Sequence, residues 1–146
     1  MRTVSGARRW PLRSAAMALQ RFGDPWTHSL AINDLSFDFM GPLLTSAGKK
    51  GDGNPKAVSA GDGSEAACQR IRSKRFRAGT VADPPNMQGW QIVDELNRAF
   101  AKAPWSGDVS RVHLVTAENA AKDGGPKNLF DPDHGYRNHY KKIWPK

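Results

Sequence analysis

The apolar positions near the start of the chain recur at helical spacing: Leu12, Ala16, Leu19 and Phe22 share one face, and "FGDP" stops the run with a glycine followed by a proline. A short amphipathic helix is predicted over residues 11–22. The next apolar stretch, "THSLAIN" at 27–33, is compact and strand-like and runs into Asn33 and Asp34. Phe37, Met40, Leu43 and Leu44 resume a helical stripe, disturbed at Pro42, and "AGKKGDGNP" is a glycine-rich turn. "AVSA" predicts a second strand, "GSEAACQRIRSKRF" a helix with Ala67, Cys68 and Ile71 toward the core, and "AGTVAD" a third strand ending at Asp83. After Pro84 and Pro85 a longer helix is predicted over 86–102, with Ile92, Val93, Leu96 and Phe100 as its buried face and Asp94 and Arg98 spaced for an i,i+4 pair on its surface. "VHLVT", 112–116, is the fourth strand, and from Asn119 onward turn chemistry such as "DGGPKN" replaces periodicity.

Strands alternating with helices predict an α/β fold, an open parallel sheet in three layers with right-handed crossovers and helices on both faces. The chain divides into a basic tail (1–10), an α/β ligand-binding lobe (11–116) and an irregular tail (117–146) with a short terminal helix. In such sheets ligands gather beyond the carboxyl ends of the strands. That edge receives Asn33 and Asp34, then Asp62 and Ser64, then Asp83.

Composition narrows the reading. With 146 residues, 38% hydrophobic content and a mean hydropathy of −0.63, one core is expected, with many turns from 14 glycines and 10 prolines. The single cysteine, Cys68, forms no internal disulfide and reads as a buried thiol. No run approaches the roughly 18 apolar residues of a membrane span, and the arginine-rich N-terminus lacks the apolar stretch of a signal peptide. The net charge of +8 is clustered in the N-terminal residues and in "QRIRSKRFR". Because the apolar residues of the helix face the core, Arg70, Arg72, Lys74, Arg75 and Arg77 are expected on its solvated side. No finger or aromatic-interleaved motif accompanies the charge, so nucleic acid is not the expected partner.

Three readings compete for the turn "AGDGSEA". It matches G-x-G-x-x-A after a strand, with Asp83 near the distance of a ribose-binding acid, which suggests a nucleotide-binding enzyme domain. Against this, Asp62 meets an incoming phosphate with like charge. A second reading gives Asp62 and Ser64 to helix capping and the glycines to the turn. The third takes all three strand ends together: Asp and Asn on rigid strand ends satisfy the several donor–acceptor hydroxyls of a sugar in fixed directions.

The run "WTHSLAINDLSFDFM", "AVSAGDGSEAACQRIR", "GTVADPPNMQGWQIVDELNRAF", "VHLVT" and "DGGPKNLFDPDHGYRNHYKKIW" resembles the C-terminal half of periplasmic sugar-binding proteins of ABC importers, the ribose-binding-like class with a type I fold. The resemblance covers about Trp26 to Trp144. It implies one lobe of a two-lobed protein that closes on a sugar without covalent change, a permease as partner, an extracytoplasmic location and no cofactor. It carries the sugar contacts to Asn33, Asp62 and Asp83, the last a departure from the Gln or Glu more usual there. A full member is about twice this length, so the chain reads as a partial protein whose missing lobe leaves apolar surface open to self-association. Other candidates have plainer uses. Asp131, Asp133, His134 and His139 fit neither an EF-hand nor a zinc spacing and read as a solvated turn. His28 and His113 lack a nucleophile partner, and Trp90 is assigned to packing. No acid, base and nucleophile assemble, so no enzyme is expected.

Overall fold

The computed structural model describes residues 5–144, with side chains from residue 13 onward. Eleven elements follow one another: α1 (Ser5–Phe22), β1 (His28–Ala31), α2 (Leu35–Asp38), α3 (Met40–Ser46), β2 (Lys56–Gly61), α4 (Glu65–Arg72), β3 (Arg77–Ala82), α5 (Pro85–Phe100), β4 (His113–Thr116), α6 (Ala120–Asp123) and α7 (Tyr136–Ile143). The first helix begins at Ser5 rather than residue 11, drawing part of the expected basic tail into α1, while residues 1–4 lie outside the described residues. The predicted disturbance at Pro42 falls earlier, at Phe39 between α2 and α3. Pro42 sits in the first turn of α3, where a missing N–H breaks no intrahelical bond. Residues 117–144 are more ordered than an irregular tail, carrying α6 and α7 and burying Phe130, Tyr136 and Tyr140.

The α/β class is as the sequence pattern indicates, with a four-stranded open sheet in the order β1-β2-β3-β4. β1–β2 and β2–β3 are parallel, but β3–β4 is antiparallel, so the sheet is mixed and the all-parallel expectation is corrected. The cause is the path of the chain after β3. α5 packs along α7 instead of crossing the sheet, so the chain re-enters where it left and His113 pairs with Ala82 at the end of β3.

Both core clusters lie on one face of this sheet. One joins Ala15 of α1, Phe37, Met40 and Leu44 to Ala57 of β2; the other joins Cys68 and Ile71 of α4 to Ala82, Val115, Ala120 and Phe130. Consecutive right-handed crossovers that advance steadily across a sheet put their helices on the same side, and α3 and α4 do so here. The opposite face carries Leu30 of β1, 83% exposed, and Leu114 of β4, 53% exposed. The helical layer expected on that face is therefore not built among the described residues.

Two further expectations are overturned. Ile92, Val93, Leu96 and Phe100 are not buried but between 43% and 83% exposed. The inward side of α5 is set by Trp90 and Asp94, which meet α7: Trp90 stacks on Trp144 with centroids 5.1 Å apart, and Trp144 Nε1 donates to Asp94 at 2.8 Å. The Asp94–Arg98 pair forms as spaced, at 2.7 Å, around a buried carboxylate. Arg77 is not solvated. It begins β3 on the same sheet face as Ala57 and is buried.

Candidate ligand site at the strand ends

The parallel pairing sets the three strand ends side by side. Ala31 lies opposite Ser59 and Gly61 opposite Ala82, so Asn33, Asp62 and Asp83 emerge from neighbouring strands at one edge of the sheet. Asn33 Oδ1 accepts from the Ser36 backbone N–H at 3.1 Å and its hydroxyl at 3.0 Å, which orients the side chain and leaves its NH2 group as a donor. Asp62 is exposed, and no neighbouring side chain donates to it. Partial burial and then the nearby Asp34 charge push its carboxyl above the ordinary value. Asp83 is half-buried, with its backbone N–H donated to Gly61 O at 2.6 Å. The edge thus offers one oriented amide and two carboxylates to a ligand rich in hydroxyls.

Beneath this edge lies a polar cluster that the sequence pattern did not reveal. The Asp34 carboxylate is buried, and both of its oxygens are engaged. Oδ1 accepts from Ser59 Oγ at 2.5 Å, from Thr80 Oγ1 at 2.8 Å and from the Arg77 guanidinium. Oδ2 accepts from the backbone N–H groups of Gly63 at 3.1 Å and Ser64 at 3.4 Å. Arg77 also donates to Ser59 Oγ at 2.8 Å and lies over the Phe37 ring, 5.0 Å from its centroid. Burial raises the Asp34 carboxyl, but the hydroxyl donors and the Arg77 charge outweigh it and hold the group below its usual range. The desolvation cost falls on Arg77, whose guanidinium is pulled below its ordinary value despite Asp34. The available signal was the pair of hydroxyls in strand interiors, Ser59 in "AVSA" and Thr80 in "AGTVA", on the inward parity of adjacent strands. Two buried hydroxyls there each require a hydrogen-bond partner.

The cluster explains the turn. Ser64 is the N-cap of α4 and accepts from Ala67 N at 3.3 Å, so the capping role belongs to Ser64 and not to Asp62. The amides of Gly63 and of the N-cap Ser64, in the turn where a dinucleotide would place its pyrophosphate, already donate to the Asp34 carboxylate. The two glycines serve packing. A Cβ on Gly61 would come within 2.8 Å of Asp34 Oδ2, and Gly63 takes φ +61 with its missing Cβ 2.7 Å from Ala82 Cβ.

The remaining candidates have structural partners. Asp131 accepts from Tyr136 OH at 2.8 Å, from Asn86 Nδ2 at 3.3 Å and from Arg137, and no cluster of three metal-type ligands occurs among the described residues. His113 pairs with Asp123 at 2.7 Å and stacks on Phe130. Burial, and then the Asp131 acceptor, push the Tyr136 phenol up to about 12, and burial raises Tyr140 as well. These are the two tyrosines of the chain. A spectrophotometric titration at 295 nm is expected to show less phenolate near pH 10 in the folded protein than in denaturant, where about half is ionised. Because the folded pKa lies above the unfolded one, the stability contributed by Tyr136 is intact below about pH 10 and is lost as pH rises toward 12. A native midpoint at the model-peptide value contradicts the burial of both rings.

Comparison with solved structures agrees with the resemblance read from the motifs. The chain superposes on a galactofuranose-binding protein with a TM-score of 0.65 and 14% identity, over 91% of this chain and 42% of that one. It also superposes on a carbohydrate transporter solute-binding protein from Agrobacterium radiobacter, solved in complex with D-arabinose, with a TM-score of 0.68 and 16% identity over 88% of this chain and 42% of that one. The likeness establishes the fold. The chain spans less than half the length of either neighbour. No protein-family model matches it, and no curated protein matches it in sequence.

Proposed function

We propose that this chain is one lobe of the sugar-binding component of an ABC importer, taking a sugar or polyol reversibly against Asn33, Asp62 and Asp83. The observation that carries the reading is the juxtaposition of those groups on three adjacent parallel strands, with side-chain donors and acceptors left for a ligand. The two neighbours named for carbohydrate binding support it. In this reading the chain is not an enzyme, works outside the cytoplasm, uses no cofactor and delivers its ligand to a permease. The exposed apolar residues of α5 support the expectation that the isolated chain self-associates. The competing nucleotide-binding reading is disfavoured by the carboxylate already seated at the α4 N-terminus.

The test is an amide chemical-shift titration of the chain with D-arabinose, a methyl galactofuranoside and NADH. The expected result is shifts at Asn33, Asp62 and Asp83 with sugar, no tighter than millimolar because one lobe supplies one side of a site. Micromolar NADH binding, or sugar shifts confined elsewhere, overturns the reading. Within it, Asp62→Ala weakens sugar binding by roughly 1–3 kcal/mol. The fold loses nothing in exchange, since Ser64 holds the cap. An acid whose folded pKa is raised costs stability where it is ionised, so the variant is slightly more stable at neutral pH and level with wild type in acid below the unfolded value. A cooperative loss of stability without loss of affinity returns Asp62 to a structural role.

A further inference from the structure

Resting on the reading of the strand-end edge as a sugar site, we propose that Asp34 is a positioning residue for that site: it holds the Gly61–Ser64 turn, and with it Asp62, in the orientation that meets the ligand. Asp34 touches no ligand in this arrangement. It acts through the turn.

Three observations converge. No neighbouring side chain donates a hydrogen bond to Asp62, whose carboxyl comes within reach only of the Asp34 carboxyl, itself an acceptor, and the residue stands between Gly61 and Gly63, which impose little conformational restriction of their own. Its orientation is therefore inherited from the backbone on either side. Downstream, that backbone is tied to Asp34 Oδ2 through the N–H groups of Gly63 and Ser64. Upstream, Gly61 packs so closely on Asp34 that a Cβ would meet the backbone N of Asp34 at 2.9 Å. The carboxylate is itself immobilised from the other side by Ser59, Thr80 and Arg77, contributed by the two strands that carry Asp62 and Asp83. Asp34 also follows Asn33 directly in sequence. One buried carboxylate thus ties together the three ligand-bearing strand ends, and the tightest consequence falls on the turn between two glycines.

Removing Asp34 alone leaves Arg77 buried without its counter-charge, which threatens folding. The informative comparison therefore neutralises both partners. Asp34→Asn with Arg77→Met keeps an oxygen facing the turn as a weaker, neutral acceptor. Asp34→Leu with Arg77→Met keeps the branching of the residue-34 side chain, though leucine is bulkier, and removes the acceptor.

Amide hydrogen exchange and sugar titration on the full chain read the two effects separately. Exchange at Gly63 and Ser64, referred to the core amide of Leu44 in α3, which is buried and outside the Asp34 cluster, is expected to quicken in the order wild type, asparagine variant, leucine variant. Affinity for D-arabinose falls in the same order, by about tenfold between the wild-type and leucine chains. A purely structural role predicts loss of protection at Leu44 as much as at the turn, with affinity of the folded fraction preserved. Equal relative protection of Gly63 and Ser64 in every variant that folds overturns the proposal; if the leucine variant does not fold, the wild-type and asparagine chains alone decide this. Turn protection that follows the expected order in a chain whose wild type shows no shift with any sugar sustains the tether and removes the sugar reading, so the two failures are distinguishable.

Discussion

Arg77→Met lowers the unfolding free energy by roughly 3–5 kcal/mol at neutral pH, a large share of the stability of a chain this size. The side chain of Arg77 is 1% exposed and that of Asp34 2%, so neither charge is hydrated by bulk water. Methionine fills much of the same volume, so the loss comes mainly from stranding Asp34 and little from a cavity. Ser59, Thr80 and the two turn amides still donate to the carboxylate, which places the effect toward the lower end of the range. Its pH dependence has a definite sign. The folded Asp34 carboxyl is held below its unfolded value, so its contribution is present above about pH 4 and is lost as pH falls through the lower folded value. In the variant that lowering is reduced, and the gap between the two proteins narrows in acid. Urea unfolding at roughly pH 7 and pH 3 checks both points. A difference below about 1 kcal/mol at neutral pH, or one that widens in acid, is incompatible with a buried pair at this position.

The strand ends were legible because a parallel sheet has a polarity. Once "THSLAIN", "AVSA" and "AGTVAD" are taken as consecutive parallel strands, Asn33, Asp62 and Asp83 must emerge on one side, and pairing of Gly61 with Ala82 places them so. The Asp34–Arg77 pair was not legible for a specific reason. "QRIRSKRFR" shows alternating charge on a helix and its exit, and helical periodicity assigns those charges to solvent. Arg77, however, is the first residue of β3, where a side chain points according to strand parity and not helix phase. The α5 stripe failed differently. Ile92, Val93, Leu96 and Phe100 share a helix face, as the spacing says, but periodicity identifies a face suited to burial without supplying what covers it. Asp94, read as a surface charge, turned inward because Trp144 and Arg98 both satisfy it.

Gly63→Ala is expected to destabilise the chain by roughly 2–5 kcal/mol, from two terms that a control separates. The first is conformational. Gly63 takes φ +61, where an L-residue costs about 1–2 kcal/mol. The second is steric: the new Cβ meets Ala82 Cβ at 2.7 Å and Phe130 Cβ at 2.8 Å, the first on a sheet strand and the second at the root of a buried side chain. Neither is the flexible end of a side chain, so relief requires the turn to lift away from β3, adding roughly 1–3 kcal/mol for an overpacked site. Gly23 isolates the first term, because it has φ +54 and nothing within 4 Å of its missing Cβ. Gly23→Ala then costs about 1–2 kcal/mol, and the excess at Gly63 measures the packing. Lifting the turn also lengthens the Gly63 and Ser64 bonds to Asp34 Oδ2, so under the proposed function the alanine chain that remains folded is expected to bind a sugar more weakly while Gly23→Ala leaves binding unchanged. Equal destabilisation at the two glycines, with equal affinity, means that the turn has room the structure does not show and that Asp62 is held by something other than its backbone.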